Sequence, residues 1–184
     1  MIAGTETTAT ALSGTTYHLL RNPAQLAKLT SEIRANITSF DDMDLETLAR
    51  QKYLMAVLQE GLRMYPPVPT NLPRRTPSGG IAICGEWVPG DVTVGVHHLS
   101  TYRNEELFHK AHEFHPERWL GDADFQNDHL DAMEPFSVGP KNCLGKVCSI
   151  DGPSGRGSML IHECRTWHGT RCACFSPPSS CTLT

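Results

Sequence analysis

The chain has 184 residues, of which 39% are hydrophobic and 20% are charged, and its formal net charge is −4. This composition can form one ordinary hydrophobic core, and the slight negative charge excludes electrostatic attraction to nucleic acid or to an anionic membrane as the basis of function. No window holds the roughly 18 apolar residues of a membrane span, and the start lacks the basic region of a signal peptide, so a cytoplasmic location is the expectation for the chain as written.

The first 50 residues are predicted to be helical. The chain opens within a helical segment over residues 3–20, and Asn22 then offers a cap before Pro23, which fits a first helical turn. Apolar residues follow at steps of three and four: Leu26, Leu29, Ile33 and Ile37. This spacing predicts an amphipathic helix that serves packing. The acidic run 41–44 offers a cap before a short helix over residues 45–50.

A further helix is predicted from about Lys52 to Tyr65, where two prolines end it. Its predicted buried stripe consists of Leu54, Val57, Leu58 and Leu62. Glu60 and Arg63 lie three residues apart and can pair on one face of the helix. On local grounds, such a pair is usually a solvated surface contact that contributes on the order of a few tenths of a kcal/mol.

The stretch from residue 81 to 96 is predicted to be β. Two short apolar runs flank Gly85, and a Pro-Gly turn leads into an alternating run, so we expect a small antiparallel sheet with a hairpin. Arg74 and Arg75 precede this region, where a surface basic pair and a binding role are equally good interpretations. The predicted fold class is mainly α with a small antiparallel β portion.

The strongest chemical signal surrounds Cys143. Gly139 and Gly145 lack a Cβ and so permit backbone angles and close approaches that other residues do not. Pro140 stiffens the turn, and Phe136 supplies an apolar cover for the sulfur. Such a loop can direct backbone N–H groups at a thiolate, so we interpret Cys143 as a metal ligand. The alternative is a buried structural cysteine beside a turn.

The pattern Phe136-x-x-Gly139-x-Lys141-x-Cys143-x-Gly145 resembles the haem-binding signature of the cytochrome P-450 monooxygenases. The resemblance implies that Cys143 is the axial thiolate ligand of a haem iron and that the other four residues belong to the cofactor-binding loop. A thiolate ligand favours O–O cleavage. Lys141 departs from the pattern, because the family usually has Arg or His there to contact a haem propionate. Lysine keeps the positive charge but lacks the planar guanidinium.

Further motifs of the family occur upstream in the right order. Residues 3–7 resemble its oxygen-binding helix motif, which implies that Glu6 and Thr7 are catalytic residues for proton delivery. Thr7 would act through its hydroxyl, and Glu6 would relay protons from solvent. Without the resemblance, this segment would be a Thr-rich tail. Pro73 and Arg74 resemble the element whose arginine contacts a haem propionate, so Arg74 is a predicted cofactor-binding residue.

Glu60 and Arg63 match the Glu-x-x-Arg element of the family, and Arg118 lies in a Pro-Glu-Arg segment that also resembles it. The resemblance implies that Glu60 is held between the two arginines as a structural lock and takes no part in the chemistry. Removal of one member would leave a buried charge at a cost of roughly 3–5 kcal/mol.

The resemblance ends near Lys146. We therefore expect two parts: residues 1–146 as the C-terminal part of a cytochrome P-450 domain, and residues 147–184 as a disordered tail outside the family that stems from a retained intron or a shifted reading frame. The tail breaks a helix at its start and holds five of the seven cysteines. A zinc module is the alternative for this tail, with candidate ligands His162, Cys164, His168, Cys172 and Cys174.

The implied function is that of a haem-dependent monooxygenase, which inserts one oxygen atom of O₂ into an apolar small-molecule substrate with electrons from an NADPH-dependent cytochrome P-450 reductase. Connecting phrases at residues 98–104 and 114–120 resemble filamentous-fungal enzymes of secondary metabolism, including trichothecene-pathway-type hydroxylases. Intact relatives would lie at the endoplasmic reticulum membrane. Two alternatives stay open: a truncated, inactive product that binds haem poorly or not at all, and a small metal-binding or interaction protein that uses its Cys/His-rich tail.

Overall fold

The computed structural model describes residues 2–39 and 44–146. The helices of this part are α1 Ile2–Arg21, α2 Pro23–Asn36, α3 Leu45–Ala49, α4 Lys52–Met64 and α5 His98–Tyr102. Between α4 and α5 lie the strands β1 Arg74–Arg75, β2 Ile81–Ile83, β3 Glu86–Val88 and β4 Thr93–Val94. After α5 the chain forms short 3-10 turns at Pro116–Leu120, Ala123–Phe125, Leu130–Ala132 and Gly139–Lys141. The predicted fold class is confirmed, and the predicted tail with its zinc alternative lies outside the described residues.

Local signals predict the side-chain cap of α3 correctly and that of α2 incorrectly. Asp44 caps α3 as predicted, since its Oδ1 accepts a hydrogen bond from the Thr47 N–H at 2.6 Å. Asn22 stands at the N-cap position of α2 but makes no side-chain cap. Its amide instead donates to the His18 carbonyl of α1 at 2.7 Å. The predicted Asn22 cap is therefore wrong, because the last turn of α1 competes for the same side chain.

Helix α4 receives its N-terminal cap from another helix. Glu32 of α2 accepts hydrogen bonds from the backbone N–H groups of Tyr53 at 2.9 Å and of Leu54 at 3.0 Å. Gln51, the residue before α4, makes no side-chain cap. A carboxylate at this position satisfies two otherwise unpaired N–H groups and also complements the helix dipole. The contact fixes α2 against the start of α4.

The strands form two separate antiparallel pairs. In the hairpin of β2 and β3, Ile81 lies opposite Val88, and the turn residues Cys84 and Gly85 have φ values of +53° and +83°, as a tight hairpin turn requires. Strand β4 pairs with β1, and Arg74 lies opposite Val94. The predicted antiparallel strands and hairpin are therefore present, but β4 pairs with β1 and does not join the hairpin, because Pro89, which has no N–H to donate, ends the hairpin before β4.

Helix α4 lies at the centre of the core. Its buried face consists of Tyr53, Ala56, Val57, Glu60, Gly61, Arg63 and Met64. The leucines of the predicted stripe are only partly buried, since the ion pair takes the core position that apolar periodicity assigned to them. One apolar cluster packs α4 against α2 and Phe114, and a second surrounds Tyr102 and Phe108.

Helix α1 crosses α4 at close range. A Cβ added at Gly61 would lie 2.0 Å from Thr15 Oγ1, and one added at Gly14 would lie 2.4 Å from the Tyr65 ring. Both glycines are therefore required by the close approach of the two helices. In the part of the chain that is described, no helix is both long enough and apolar enough to cross a membrane.

Candidate functional site

Glu60 and Arg63 form a buried ion pair on the core face of α4. Arg63 Nη2 lies 2.8 Å from Glu60 Oε1, and Arg63 Nε lies 2.9 Å from Glu60 Oε2, so the guanidinium holds the carboxylate at both oxygens. Both side chains have an exposed fraction of 0%. A solvated surface contact is thereby excluded for this pair.

Arg118 brings the turn Pro116–Leu120 to the same carboxylate. Its Nε lies 3.3 Å from Glu60 Oε1 and 3.2 Å from Oε2. Two neighbours add hydrogen bonds, from Trp119 Nε1 to Oε2 at 2.9 Å and from the His115 N–H to Oε1 at 3.0 Å. These donors replace the water that the buried carboxylate has lost. The structure thus brings together the three residues that the motifs place in a structural lock.

The charged partners decide the protonation state of Glu60. Burial by itself would raise the pKa of this carboxyl, because a surrounding of low dielectric constant disfavours the anion. The hydrogen bond and charge of Arg63, followed by the charge of Arg118, outweigh burial and hold the pKa below its ordinary value of 4.5. Glu60 is therefore ionised at neutral pH.

Arg63 also fixes the irregular segment that follows α5. Its Nη1 donates to the carbonyls of Tyr102 and Ala111, each at 2.7 Å, and its Nη2 donates to the Glu113 carbonyl at 2.9 Å. The guanidinium carbon lies 5.4 Å from the centre of the Phe108 ring. One arginine thus donates hydrogen bonds to three carbonyls that accept none within a helix or a sheet.

Asp128 belongs to this network, although the motifs did not predict it. Its Oδ2 forms an ion pair with Arg118 Nη1, and both side chains are buried. Asp128 lies in an Asp-rich stretch whose other aspartates are exposed: Asp122, Asp124 and Asp131. No sequence signal separates Asp128 from these neighbours.

Tyr102 connects the network to the entry of the cysteine loop. Its carbonyl accepts from Arg63, and its hydroxyl oxygen accepts from the Glu134 N–H at 3.1 Å. Tyr102 is 1% exposed, and burial raises the pKa of its hydroxyl, so this group stays protonated at neutral pH. Met133 packs in the same apolar cluster. The start of the loop is therefore held against the buried core.

Backbone hydrogen bonds close the loop around the cysteine. The Cys143 N–H donates to the Phe136 carbonyl at 2.8 Å, and the Asn142 N–H donates to the Gly139 carbonyl at 3.0 Å. Gly139 has a φ of +73°, which lies in the left-handed region that glycine adopts without a steric cost. Gly139 therefore adopts the backbone angle that the sequence predicts for this turn.

Cys143 is an exposed free thiol at the end of this loop. A Cβ added at Gly145 would lie 3.6 Å from Cys143 Sγ, which is an ordinary contact, so space alone does not require glycine there. The ring of Phe136 lies 6.0 Å from Lys146 Nζ and is half-buried. Lys141 is exposed.

Arg74 contacts the cysteine loop from β1. Its Nη2 donates to Ser137 Oγ at 2.8 Å, and the side chain is half-buried. Arg75 points elsewhere, because its exposed guanidinium lies 3.0 Å from Asp91 Oδ1. The two neighbouring arginines are therefore distinct: Arg74 is the one that contacts the loop, and its contact with a haem propionate stays a prediction.

Glu6 and Thr7 lie near the start of α1. Glu6 is exposed and Thr7 is half-buried. Adjacent residues of an α-helix are separated by about 100° around its axis, so these two side chains leave α1 in different directions. Their role in proton delivery stays a prediction.

The donor groups at the loop fit the thiolate side of a haem. Cys143 offers a single soft ligand, and Arg74 and Lys141 offer positive charge of the kind that binds propionates. The loop also carries exposed apolar side chains, Leu144 at 93% and Val138 at 49% exposure, which match the face of a porphyrin. Within residues 2–39 and 44–146, no three His, Cys, Asp or Glu side chains form a group able to hold a metal ion.

Comparison with known proteins places this site in a family. The family model described as cytochrome P-450 matches residues 1–149. A cytochrome P-450 monooxygenase from Hormonema carpetanum, efuB, is 60% identical over 147 residues, which cover 79% of this chain and 29% of that protein. The monooxygenase astA of Talaromyces wortmannii and an averantin hydroxylase of Aspergillus parasiticus are 47% and 45% identical, each over 146 residues that cover 79% of this chain and 30% of the relative.

The chain spans about three tenths of the length of these relatives. The matched region contains the buried lock, Arg74 and the loop of Cys143, so the comparison and the geometry concern the same residues. The chain belongs to the cytochrome P-450 family.

Proposed function

We propose that this chain provides the thiolate side of a haem-dependent monooxygenase site that acts in fungal secondary metabolism. The observation that carries the proposal is the placement of Cys143. Its thiol is free and exposed, and its loop is joined to Arg74 through Ser137 and to the buried core through Glu134 and Tyr102. The names of the relatives, which are monooxygenases and a hydroxylase, support the same class of reaction.

In this proposal Cys143 would hold the iron as a thiolate, and Arg74 and Lys141 would bind the propionates through their positive charges. Haem, when bound, supplies the oxygen activation by which one atom of O₂ enters an apolar organic substrate. The hydroxyl of Thr7 would donate a hydrogen bond to a water, and the exposed carboxylate of Glu6 would exchange protons with solvent. Electrons come from an NADPH-dependent cytochrome P-450 reductase.

The role of the buried lock in this function is positional. Glu60 and its arginines touch no reacting atom, but Arg63 fixes Tyr102, and Tyr102 fixes the entry to the cysteine loop. A ligand has to be held to within about 0.5 Å of its working position. The lock therefore contributes rigidity to the thiolate.

The test is the absorption spectrum of the full 184-residue chain, reconstituted with haem, reduced and exposed to carbon monoxide. We expect the red-shifted Soret band of a thiolate-ligated haem. Cys143→Ser should abolish this band, whereas Cys84→Ser, in the β2–β3 turn, should retain it. A haem-saturated chain without the band, or equal effects of both substitutions, would refute the assignment.

A further inference from the structure

Asp128 balances the charge of the buried network. Without it, Arg63 and Arg118 would face the single carboxylate of Glu60, in a region where these three side chains have 0% exposure and that of Asp128 has 1%. Two buried cations and one buried anion leave an uncompensated charge, which is strongly unfavourable in a low-dielectric interior. With Asp128 included, the network holds two positive and two negative groups.

Asp128 also joins two segments of backbone. Its Oδ1 accepts from the His109 N–H at 2.8 Å, and the next residue, His129, donates its N–H to the Leu107 carbonyl at 2.8 Å. Arg118 Nη2 donates to the His109 carbonyl at 3.0 Å. The chain at residues 107–109 is therefore held beside the chain at 128–129 by one carboxylate and one guanidinium.

The segment held in this way leads directly into the cysteine loop. Met133, five residues after Asp128, is buried against Tyr102 and Phe108. Glu134 follows and donates its N–H to the Tyr102 hydroxyl. Asp128 is thus anchored a few residues before the point where the chain contacts Tyr102 and enters the loop that carries Cys143.

We propose that Asp128 is a positioning residue for the Cys143 loop. It neutralises Arg118 and fixes the segment from which the loop departs, so that the thiol stands at a constant place relative to Arg74. The importance of this placement for catalysis rests on the proposed function, because it matters only for a thiol that binds haem. The contacts that carry the inference are independent of haem.

The first test is native-state hydrogen exchange on the full chain. In Asp128→Asn, exchange of the His109, His129 and Cys143 amides should become at least roughly 100-fold faster, because a buried pair loses one partner. The Val57 amide of α4, which lies in the core, should accelerate less than these three amides. Asp131→Asn, an exposed aspartate three residues away, is the matched control and should change none of these rates. Uniform acceleration that includes Val57, or an unchanged Cys143 amide, would overturn the positioning role.

A second variant covers the case in which Asp128→Asn does not fold. Arg118→Gln combined with Asp128→Asn removes one cation and one anion and leaves the balanced pair of Glu60 and Arg63. The urea midpoint of this double variant should lie above that of Arg118→Gln alone, in which Asp128 is a buried anion without its cation. A double variant that is no more stable than Arg118→Gln, or that fails to fold, would contradict charge balance by Asp128.

A haem titration separates the inference from the proposed function. In Asp128→Asn, the fraction of bound haem that shows the thiolate band should fall at least several-fold, while Asp131→Asn should match wild type. Equal thiolate fractions in wild type and Asp128→Asn would refute the positioning role. If wild type binds no haem but the exchange pattern holds, the proposed function fails and the role of Asp128 in placing the loop stands.

Discussion

Replacement of Arg63 by alanine tests the buried network most directly. The change leaves Glu60 with Arg118 as its remaining cation and strands the carbonyls of Tyr102, Ala111 and Glu113. Breaking a buried ion pair costs roughly 3–5 kcal/mol, and each stranded carbonyl adds about 1 kcal/mol. Because the whole stability of a domain is only about 5–15 kcal/mol, we expect Arg63→Ala to lose at least about 6 kcal/mol or to fail to fold.

Arg50→Ala is the matched control. Arg50 also pairs with a glutamate on a helix, at 2.5 Å from Glu46, but these side chains are 72% and 63% exposed. Its loss should cost at most about 0.5 kcal/mol. Arg63→Lys keeps the charge but lacks the planar fork, so its stability should fall between wild type and Arg63→Ala.

The assay is urea unfolding of the full chain, followed by circular dichroism and by tryptophan fluorescence, since Trp119 donates to Glu60. The predicted order of midpoints is wild type, Arg50→Ala, Arg63→Lys, Arg63→Ala. Equal midpoints for Arg50→Ala and Arg63→Ala would show that the network adds no more than a surface pair and would refute the reasoning.

Three further predictions concern Glu60, Glu32 and Arg74. Because the pKa of Glu60 is depressed in the folded chain, its contribution to stability is complete above its ordinary value of 4.5 and is lost as pH falls below it; thermal midpoints that stay flat from pH 5 to about 3 would contradict this. Glu32→Ala removes the cap of α4 and should cost about 1–2 kcal/mol, as measured by urea unfolding, whereas Glu46→Ala should cost less than half as much. Arg74→Ala should weaken haem binding roughly 10-fold, and Arg75→Ala should leave haem affinity unchanged in the same spectroscopic titration.

The parts of the fold that the sequence predicts depend on interactions between residues close together in the chain. Helix α4 ends at the prolines that follow Tyr65, and Asp44 caps α3, because proline and capping side chains act within a few residues. The turn at Gly139 follows from the freedom of glycine at positive φ. In each case the interacting groups are neighbours in the chain.

The parts that the sequence does not predict depend on partners distant in the chain. Glu32 and the start of α4 are 21 residues apart, and no local pattern marks a glutamate as the cap of another helix. In the sequence, nothing distinguishes Asp128 from the exposed aspartates near it. Its ion pair with Arg118 and its hydrogen bond from the His109 N–H are visible only in the folded chain. The leucines of the predicted α4 stripe are partly buried and not fully buried, because buried charges, which hydropathy assigns to the surface, share the core face of the helix.

A tilt of α1 at its crossing with α4 would displace the residues near the start of α1. Thr7 lies eight residues before Thr15, which meets Gly61 at the crossing, and at a rise of 1.5 Å per residue this places Thr7 about 12 Å along the axis. A tilt of roughly 5° at the crossing would displace Thr7 by about 1 Å, and a misplacement of about 1 Å at a reacting centre can cost on the order of 100-fold in rate. A methyl group added at Gly61 would therefore displace Thr7, the proposed proton donor, by tilting α1.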